Sequence, residues 1–352
     1  MAEPSIRKLV QTASLTQKIP ALEWLSRGLF RAQGYDWETR TSGDMKLGLW
    51  RKSFSSRSQK SPYPKRFILI PGFGDSPLSW YPVVMLLTPL LKKNYDEVVL
   101  LDFPSFSGVL SKEKSFPSMD LMFTAVNDSL DSLKPHTLVG HSLGGWLSAH
   151  YTALCGKKLR PKSNPQTYGG PESIYLFCPS GIFPNETSLS EFEGIFRRSM
   201  QEGFHTFKPY LFFQEPLWFR WVMPFLQDFH SREDVVQFML SIQQEHRLDD
   251  LADGLDANTW LIWGDQDRLI PHSTIPAWTR FLSQKKNYNR PVILKNIGHS
   301  PQLEAPGRTA LLLAQMILGR TPHPMGKRWW TEHEEPTSKD PSTEFKPSGT
   351  VA

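Results

Sequence analysis

The stretch Gly140-His141-Ser142-Leu143-Gly144 constrains this chain more than any other part of it. It follows the apolar run His136-Thr137-Leu138-Val139 and precedes a helix-like run from Trp146 to Tyr151. A Gly-x-Ser-x-Gly between a strand and a helix is a nucleophile elbow, a sharp turn that presents the serine hydroxyl at its tip. Glycine is needed on both sides, because a side chain at either position would meet the neighbouring strand or helix. The helix behind Ser142 begins with free N–H groups and a positive dipole end, which favour developing negative charge. A plain Gly-Ser linker would carry the same letters, so the meaning of the motif rests on its partners.

A serine is a poor nucleophile at neutral pH and needs a base, which in turn needs an orienting carboxylate. Asp267 follows the apolar run Thr259-Trp260-Leu261-Ile262-Trp263, and His299 follows Val292-Ile293-Leu294. Asp267 has a second reading as the cap of a helix starting near Ser273, and Asp265 competes for the acid role; Asp267 lies farther out on its loop and is preferred. His299 sits between Gly298 and Ser300-Pro301, a setting that His205, His230, His246 and His272 lack. His141 reads as support for the turn. An oxyanion hole would take one N–H from Leu143, directly after the serine, and one from Phe73, between Gly72 and Gly74.

The chain order is strand then helix, repeated. Asp36 to Thr41 and Met45 to Lys52 suggest an opening hairpin. Strands are expected at Arg66–Ile70, Glu97–Leu101, the elbow strand, Ile174–Cys178, Thr259–Trp263 and Val292–Leu294. Helices are expected near Leu78–Leu91, Met119–Leu133 and Pro301–Leu318. Continuous apolar strands alternating with helices mean an α/β fold with a mostly parallel central sheet and helices on both faces. Ligands of such sheets bind at the carboxyl ends of the strands, where each candidate group lies. Residues 183–256 break the alternation with helix-like segments and read as an inserted helical cap, so the core comprises 36–182 and 257–320. Residues 321–352, rich in Pro, Ser, Thr and charge, read as a disordered tail in which Trp329 and Trp330 are the bulky features.

Four motifs resemble the α/β-hydrolase superfamily, particularly its cap-bearing monoacylglycerol lipase and carboxylesterase-like branch. They are Pro71-Gly72-Phe73-Gly74, Gly140 to Gly145, Gly264 to Pro271, and Gly298-His299-Ser300-Pro301 with Glu304-Ala305-Pro306. The likeness spans about residues 66–318. It implies a serine hydrolase with Ser142 as nucleophile, Asp267 as acid and His299 as base, in the order Ser, Asp, His expected of that fold. Serine at 142 argues against epoxide hydrolase and dehalogenase chemistry, which use aspartate there. One departure stands out: Pro71-Gly72 replaces the family's usual His-Gly. Carbon–carbon bond or thioester hydrolysis on the same groups is the enzymatic alternative, and a non-catalytic binding module is the alternative of another class.

Residues 204–229 hold ten aromatics in 26 positions, in a chain that is 12% aromatic. Most should form the cap's own core. Those facing inward would line an apolar pocket, and Phe212, Phe213, Trp218 and Trp221 are the candidates. The expected substrate is a small apolar ester, with no metal and no organic cofactor.

Residues 1–66 hold thirteen Lys and Arg against five Asp and Glu, while the whole chain carries +5. Residues 1–35 read as an amphipathic helical segment with a Leu22, Leu25, Leu29 stripe interrupted by Pro20. Peripheral contact with an anionic membrane is one reading; a helix packed on the main domain is preferred. Basic patches interleaved with aromatics are lacking, so nucleic acid is not expected. Cys155 and Cys178 give neither a disulfide framework nor metal-ligand spacing. The N-terminus lacks the apolar region of a signal peptide and no run reaches the ~18 apolar residues of a membrane span, so a cytoplasmic protein is expected.

Overall fold

The computed structural model describes residues 15–43, 45–54, 63–103, 118–158, 168–183, 186–221, 226, 233–248, 251, 254–282, 288–320 and 330–332. The chain begins with helix α1 (Leu15–Ala32), the hairpin β1 (Asp36–Ser42) and β2 (Met45–Ser53), and strand β3 (Arg66–Ile70). A 3-10 turn (Pro77–Trp80) runs into α2 (Tyr81–Asn94). Then come β4 (Glu97–Asp102), α3 (Met119–Leu133), β5 (Thr137–His141), α4 (Leu143–Lys158) and β6 (Ser173–Phe177). Helices α5 (Glu186–Glu202), α6 (Lys208–Leu211) and α7 (Glu233–Leu240) follow, and no strand occurs among the described residues between β6 and β7 (Asn258–Gly264). The chain then forms α8 (Ile275–Leu282), β8 (Val292–Leu294), α9 (Pro301–Glu304), α10 (Pro306–Ile317) and β9 (Trp330–Glu332).

Among the described residues nine strands join one sheet in the order β1-β2-β4-β3-β5-β6-β7-β8-β9. Strands β3 to β8 pair parallel with one another, and β1, β2 and β9 pair antiparallel. The alternation of side chains along each strand divides the interior into two cores. Ile68, Leu138, Leu176 and Trp263 join α3, α4 and the helices between β6 and β7 in one. Phe67, Val139, Phe177 and Ile262 join α2, α10 and Phe30 in the other. Layers on both faces explain why the central strands read as unbroken apolar runs.

Three expectations are corrected. The final helix is not continuous: Ala305, at φ −142° and ψ 61°, separates α9 from α10. Pro306 disfavours the helical region for the residue before it. The tail is not wholly without structure, since Trp330–Glu332 pairs with β8 and covers what would otherwise be an open sheet edge. Pro20 does not interrupt α1, which runs through it. As the sixth residue of the helix it cannot donate the i→i−4 backbone bond, and the helix carries that cost. Trp329 lies outside the described residues.

The buried face of α1 also differs from the leucine stripe. Ser26 and Phe30 are buried, Leu25 and Leu29 are half-buried, and Trp24 is 75% exposed. Phe30 stacks on Trp50 at 5.0 Å and meets Tyr35 and Tyr81 edge-on. Among the described residues no helix is long and apolar enough to cross a membrane. Phe30 is the anchor, so Phe30→Ala should lower the unfolding free energy by about 3–5 kcal/mol. Urea denaturation checks this, and a loss below about 1 kcal/mol would show that α1 is not docked through it.

Candidate active site

Ser142 links β5 to α4 at φ 53°, a left-handed conformation uncommon for a residue with a side chain. The turn is held by Ser142 N–H donating to the Phe177 carbonyl at 2.9 Å, while Ser142 C=O accepts from Trp146 and Ser180. The flanking glycines are required by contact. A Cβ on Gly140 would lie 2.3 Å from the Gly144 carbonyl oxygen, and one on Gly144 would lie 2.1 Å from that of Ile70. Leu143 is the first residue of α4, which puts its N–H at the helix N-terminus beside the serine.

His299 follows β8 and Asp267 follows β7, so the parallel sheet carries both to the same end as Ser142. His299 Nδ1 lies 2.9 Å from Asp267 Oδ2, with both side chains essentially buried. The carboxylate only accepts, so Nδ1–H donates and Nε2 is left to face away from Asp267. That Nε2 is buried and makes no hydrogen bond among the described residues. Asp267 Oδ1 accepts from Leu269 and Ile270 N–H, both at 2.9 Å, and Trp263 Nε1–H braces the loop on the Ile270 carbonyl. Asp265 instead accepts from Ile297 N–H.

Ser142 and His299 line one cavity of about 590 Å³, its mouth included. Gly72, Phe73 and Gly74 form one wall. Phe73 stacks on Phe238 of α7 at 5.3 Å and meets Phe196 of α5 edge-on, which joins this loop to the helical insert. Beyond Asp75, His141 and Ser300 the remaining wall is apolar, with Phe196, Phe204, Phe207, Phe212 and Phe219 contributing. Of the four aromatics expected there, Phe212 lines the cavity. Phe213 and Trp218 are 39% and 48% exposed and do not; Trp218 sits in the 3-10 turn Leu217–Trp221, in which the next residue, Phe219, lines the cavity instead. The Trp221 side chain lies outside the described residues.

His141 lines the same cavity, beside the His299 ring at 4.9 Å. Its Nε2–H donates to the His299 carbonyl at 2.7 Å, so Nδ1 accepts from Gln302 Nε2–H at 3.2 Å. Gln302 also donates to Asp75 Oδ2 at 3.4 Å. Asp75 further accepts from Ser79 Oγ–H and its neighbour Ser76 N–H, both at 2.7 Å. These bonds tie the Gly72–Asp75 loop, the elbow and the His299 loop together. Burial, reinforced by His299, pushes the His141 pKa down to about 3, which keeps its ring neutral. Sequence reasoning passed over Asp75 and Gln302; the signal was their closeness to Phe73 and His299 in the chain.

Among the described residues one group has metal-ligand spacing: Cys178, Asp267 and His299, whose ligand atoms lie within 4.8 Å of one another. His299 Nδ1 and both Asp267 oxygens are already committed to hydrogen bonds. Burial first, then the Asp267 charge, pushes the Cys178 thiol well up, away from the thiolate a metal takes. The cluster suits a hydrogen-bonded relay better than a metal.

Burial pushes the Asp75 carboxyl up to about 6, against the bonds from Ser79, Ser76 and Gln302. Native Asp75 therefore holds its proton more tightly than the unfolded chain, whose value is near 3.9. Its ionisation works against the fold, a cost absent below about pH 4 and complete above about pH 6. The stability of Asp75→Asn relative to the unaltered protein should thus improve across that window by roughly 1–3 kcal/mol, allowing for screening of a side chain 18% exposed. Urea unfolding at both ends of the window measures it; a constant difference would contradict the assignment.

A sequence profile of the alpha/beta hydrolase family matches residues 67–310. The chain is 23% identical over 234 residues to an uncharacterized hydrolase, YugF, of Bacillus subtilis (strain 168), covering 60% of this chain and 76% of that protein. A solved bacterial membrane phospholipase A superposes with a TM-score of 0.63 at 22% identity, covering 90% of this chain and 94% of that one. The carboxylesterase CesB of Bacillus subtilis superposes with a TM-score of 0.60 at 15% identity, covering 88% and 100%. At these identities the two structures bear on the fold alone.

Proposed function

The chain belongs to the alpha/beta hydrolase family, and on that premise we propose that it is a serine hydrolase cleaving carboxylic esters of apolar acyl or alcohol groups. The observation that carries this reading is buried His299 Nε2, left without a hydrogen-bond partner among the described residues in a cavity it shares with Ser142, while Asp267 holds the other ring nitrogen. A base fixed in one tautomer and orientation is what a serine needs to lose its proton as it attacks.

In this mechanism Ser142 Oγ adds to the ester carbonyl and its proton passes to His299 Nε2. Asp267 stabilises the imidazolium. The carbonyl oxygen, now negative, is held by the backbone N–H groups of Leu143 and Phe73; losing one such donor typically costs ~3 kcal/mol of barrier. His299 returns the proton to the departing alcohol, leaving an acyl group on Ser142. Water, deprotonated by the same histidine, then releases the acid. Support for an apolar substrate comes from the wall of Phe196, Phe204, Phe207, Phe212 and Phe219. Each buried CH₂ there is worth about 0.8 kcal/mol.

Ser142→Ala should lower ester turnover on the order of 10⁶-fold while the fold persists. Activity within about tenfold of the unaltered enzyme would refute the nucleophile. On a panel of p-nitrophenyl esters, kcat/KM should rise from acetyl toward medium-length acyl chains. A steady fall from acetyl onward would sink the apolar pocket.

A further inference from the structure

Glu304 closes α9 and stands outside the proposed chemistry, yet its carboxylate joins two segments that the chemistry needs together. Glu304 Oε1 accepts from Gly298 N–H at 2.8 Å, on the residue before His299. Glu304 Oε2 accepts from Phe213 and Gln214 N–H at 3.1 and 3.0 Å, on the segment between α6 and the next 3-10 turn. The two loops also touch directly. A Cβ on Gly298 would lie 2.6 Å from the Phe213 nitrogen and 2.8 Å from the Phe212 carbonyl carbon. Glycine at 298 is thus what lets the insert close against the histidine loop.

The segment so fastened carries part of the cavity wall. Phe212 lines the cavity and meets Phe219 edge-on at 4.5 Å, and Phe219 lines it too. Leu303, beside Glu304, is on the same wall. A single carboxylate therefore fixes how far the aromatic wall stands from the histidine loop. We infer that Glu304 is a positioning residue that sets acyl-chain selectivity by latching the Phe212–Gln214 segment to the Gly298–His299 loop. The inference rests on the ester-hydrolase reading for its kinetic consequence and on geometry alone for the latch.

The geometry explains why this must be a carboxylate. Three N–H donors converge on two oxygens, and both oxygens must accept. A glutamine of the same shape has one accepting oxygen and one amide nitrogen, which would face the N–H groups of one loop with another donor. The latch then holds on one side only. A plain packing role would instead lower stability and depress all substrates alike.

The test uses the full chain with Glu304→Gln and, separately, Gly298→Ala, whose Cβ would press on Phe213, Phe212 and the Glu304 carboxylate and so wedge the two loops apart. If Glu304→Gln fails to fold, Gly298→Ala carries the kinetic test. Amide hydrogen exchange is read at Phe213 and Gln214, and kcat and KM are measured for acetyl and decanoyl p-nitrophenyl esters. Glu304→Gln should speed exchange at those two amides by about tenfold or more. In both variants KM for the decanoyl ester should rise about tenfold, with kcat within about threefold and the acetyl KM within about twofold. Unchanged exchange in Glu304→Gln overturns the latch. Equal losses on both esters, or an unchanged preference in a variant with faster exchange, overturn its role in selectivity. If the unaltered protein hydrolyses neither ester, the ester-hydrolase reading fails, and with it the selectivity claim, while the exchange result still decides the latch.

Discussion

Helix α4 leaves the sheet one residue after β5 ends, and that turn leaves no room for side chains at 140 or 144. Ser142 is held at φ 53° between them. Strain of this kind costs on the order of 1–3 kcal/mol and persists only where the surroundings over-determine it. Here the surroundings are β3, β5 and β6, buried on both faces, with Ser142 N–H fixed to Phe177 and Gly144 pressed on Ile70 and Pro71. The same contact that strains the serine brings the Gly72–Asp75 loop against the elbow. The position of the serine is therefore a property of the sheet, and loop motion alone cannot displace it.

Around that fixed point the polar groups divide the work by how many donors each receives. Asp267 takes two backbone N–H bonds on one oxygen and the His299 ring on the other. Glu304 takes three backbone N–H bonds and still has its carboxyl pushed up to about 7, by burial first and then by Asp267. Asp75 accepts from Ser76, Ser79 and Gln302. Three acidic groups at one end of the sheet thus do three different things: one orients the histidine, one joins the insert to it, and one braces the facing loop. Cys178, at φ 44° beside Asp267, adds a fourth close group.

Much of this was legible in the sequence because parallel strands buried on both faces must be continuous apolar runs, and because loops after such strands share one end. That logic placed Ser142, Asp267 and His299 together from residues 125 and 32 positions apart in the chain. Local chemistry misled at Pro20, where the helix continues in spite of the missing donor, and at 301–318, where Pro306 breaks a pattern that reads as one helix. The β9 strand was hidden because three residues carry no periodicity. The pocket was legible in composition but not in residue. Phe213 lies in irregular backbone and Trp218 in a 3-10 turn too short to show a period, whereas Phe196 shares a regular i, i+4 face with Phe192 and went unread. Gln302 and Asp75 meet across 227 residues, and Glu304 meets Phe213 across 91, so only the folded chain reveals them.

The central claim is that His299, held by Asp267, makes Ser142 a nucleophile. A fluorophosphonate probe reacts with a serine only when a base activates it, so labelling mapped by peptide mass spectrometry reads the claim directly. The account predicts one adduct per chain, on the peptide bearing Ser142, formed at a rate that collapses in His299→Ala. No adduct on the unaltered protein, an adduct elsewhere, or undiminished labelling of His299→Ala would contradict it.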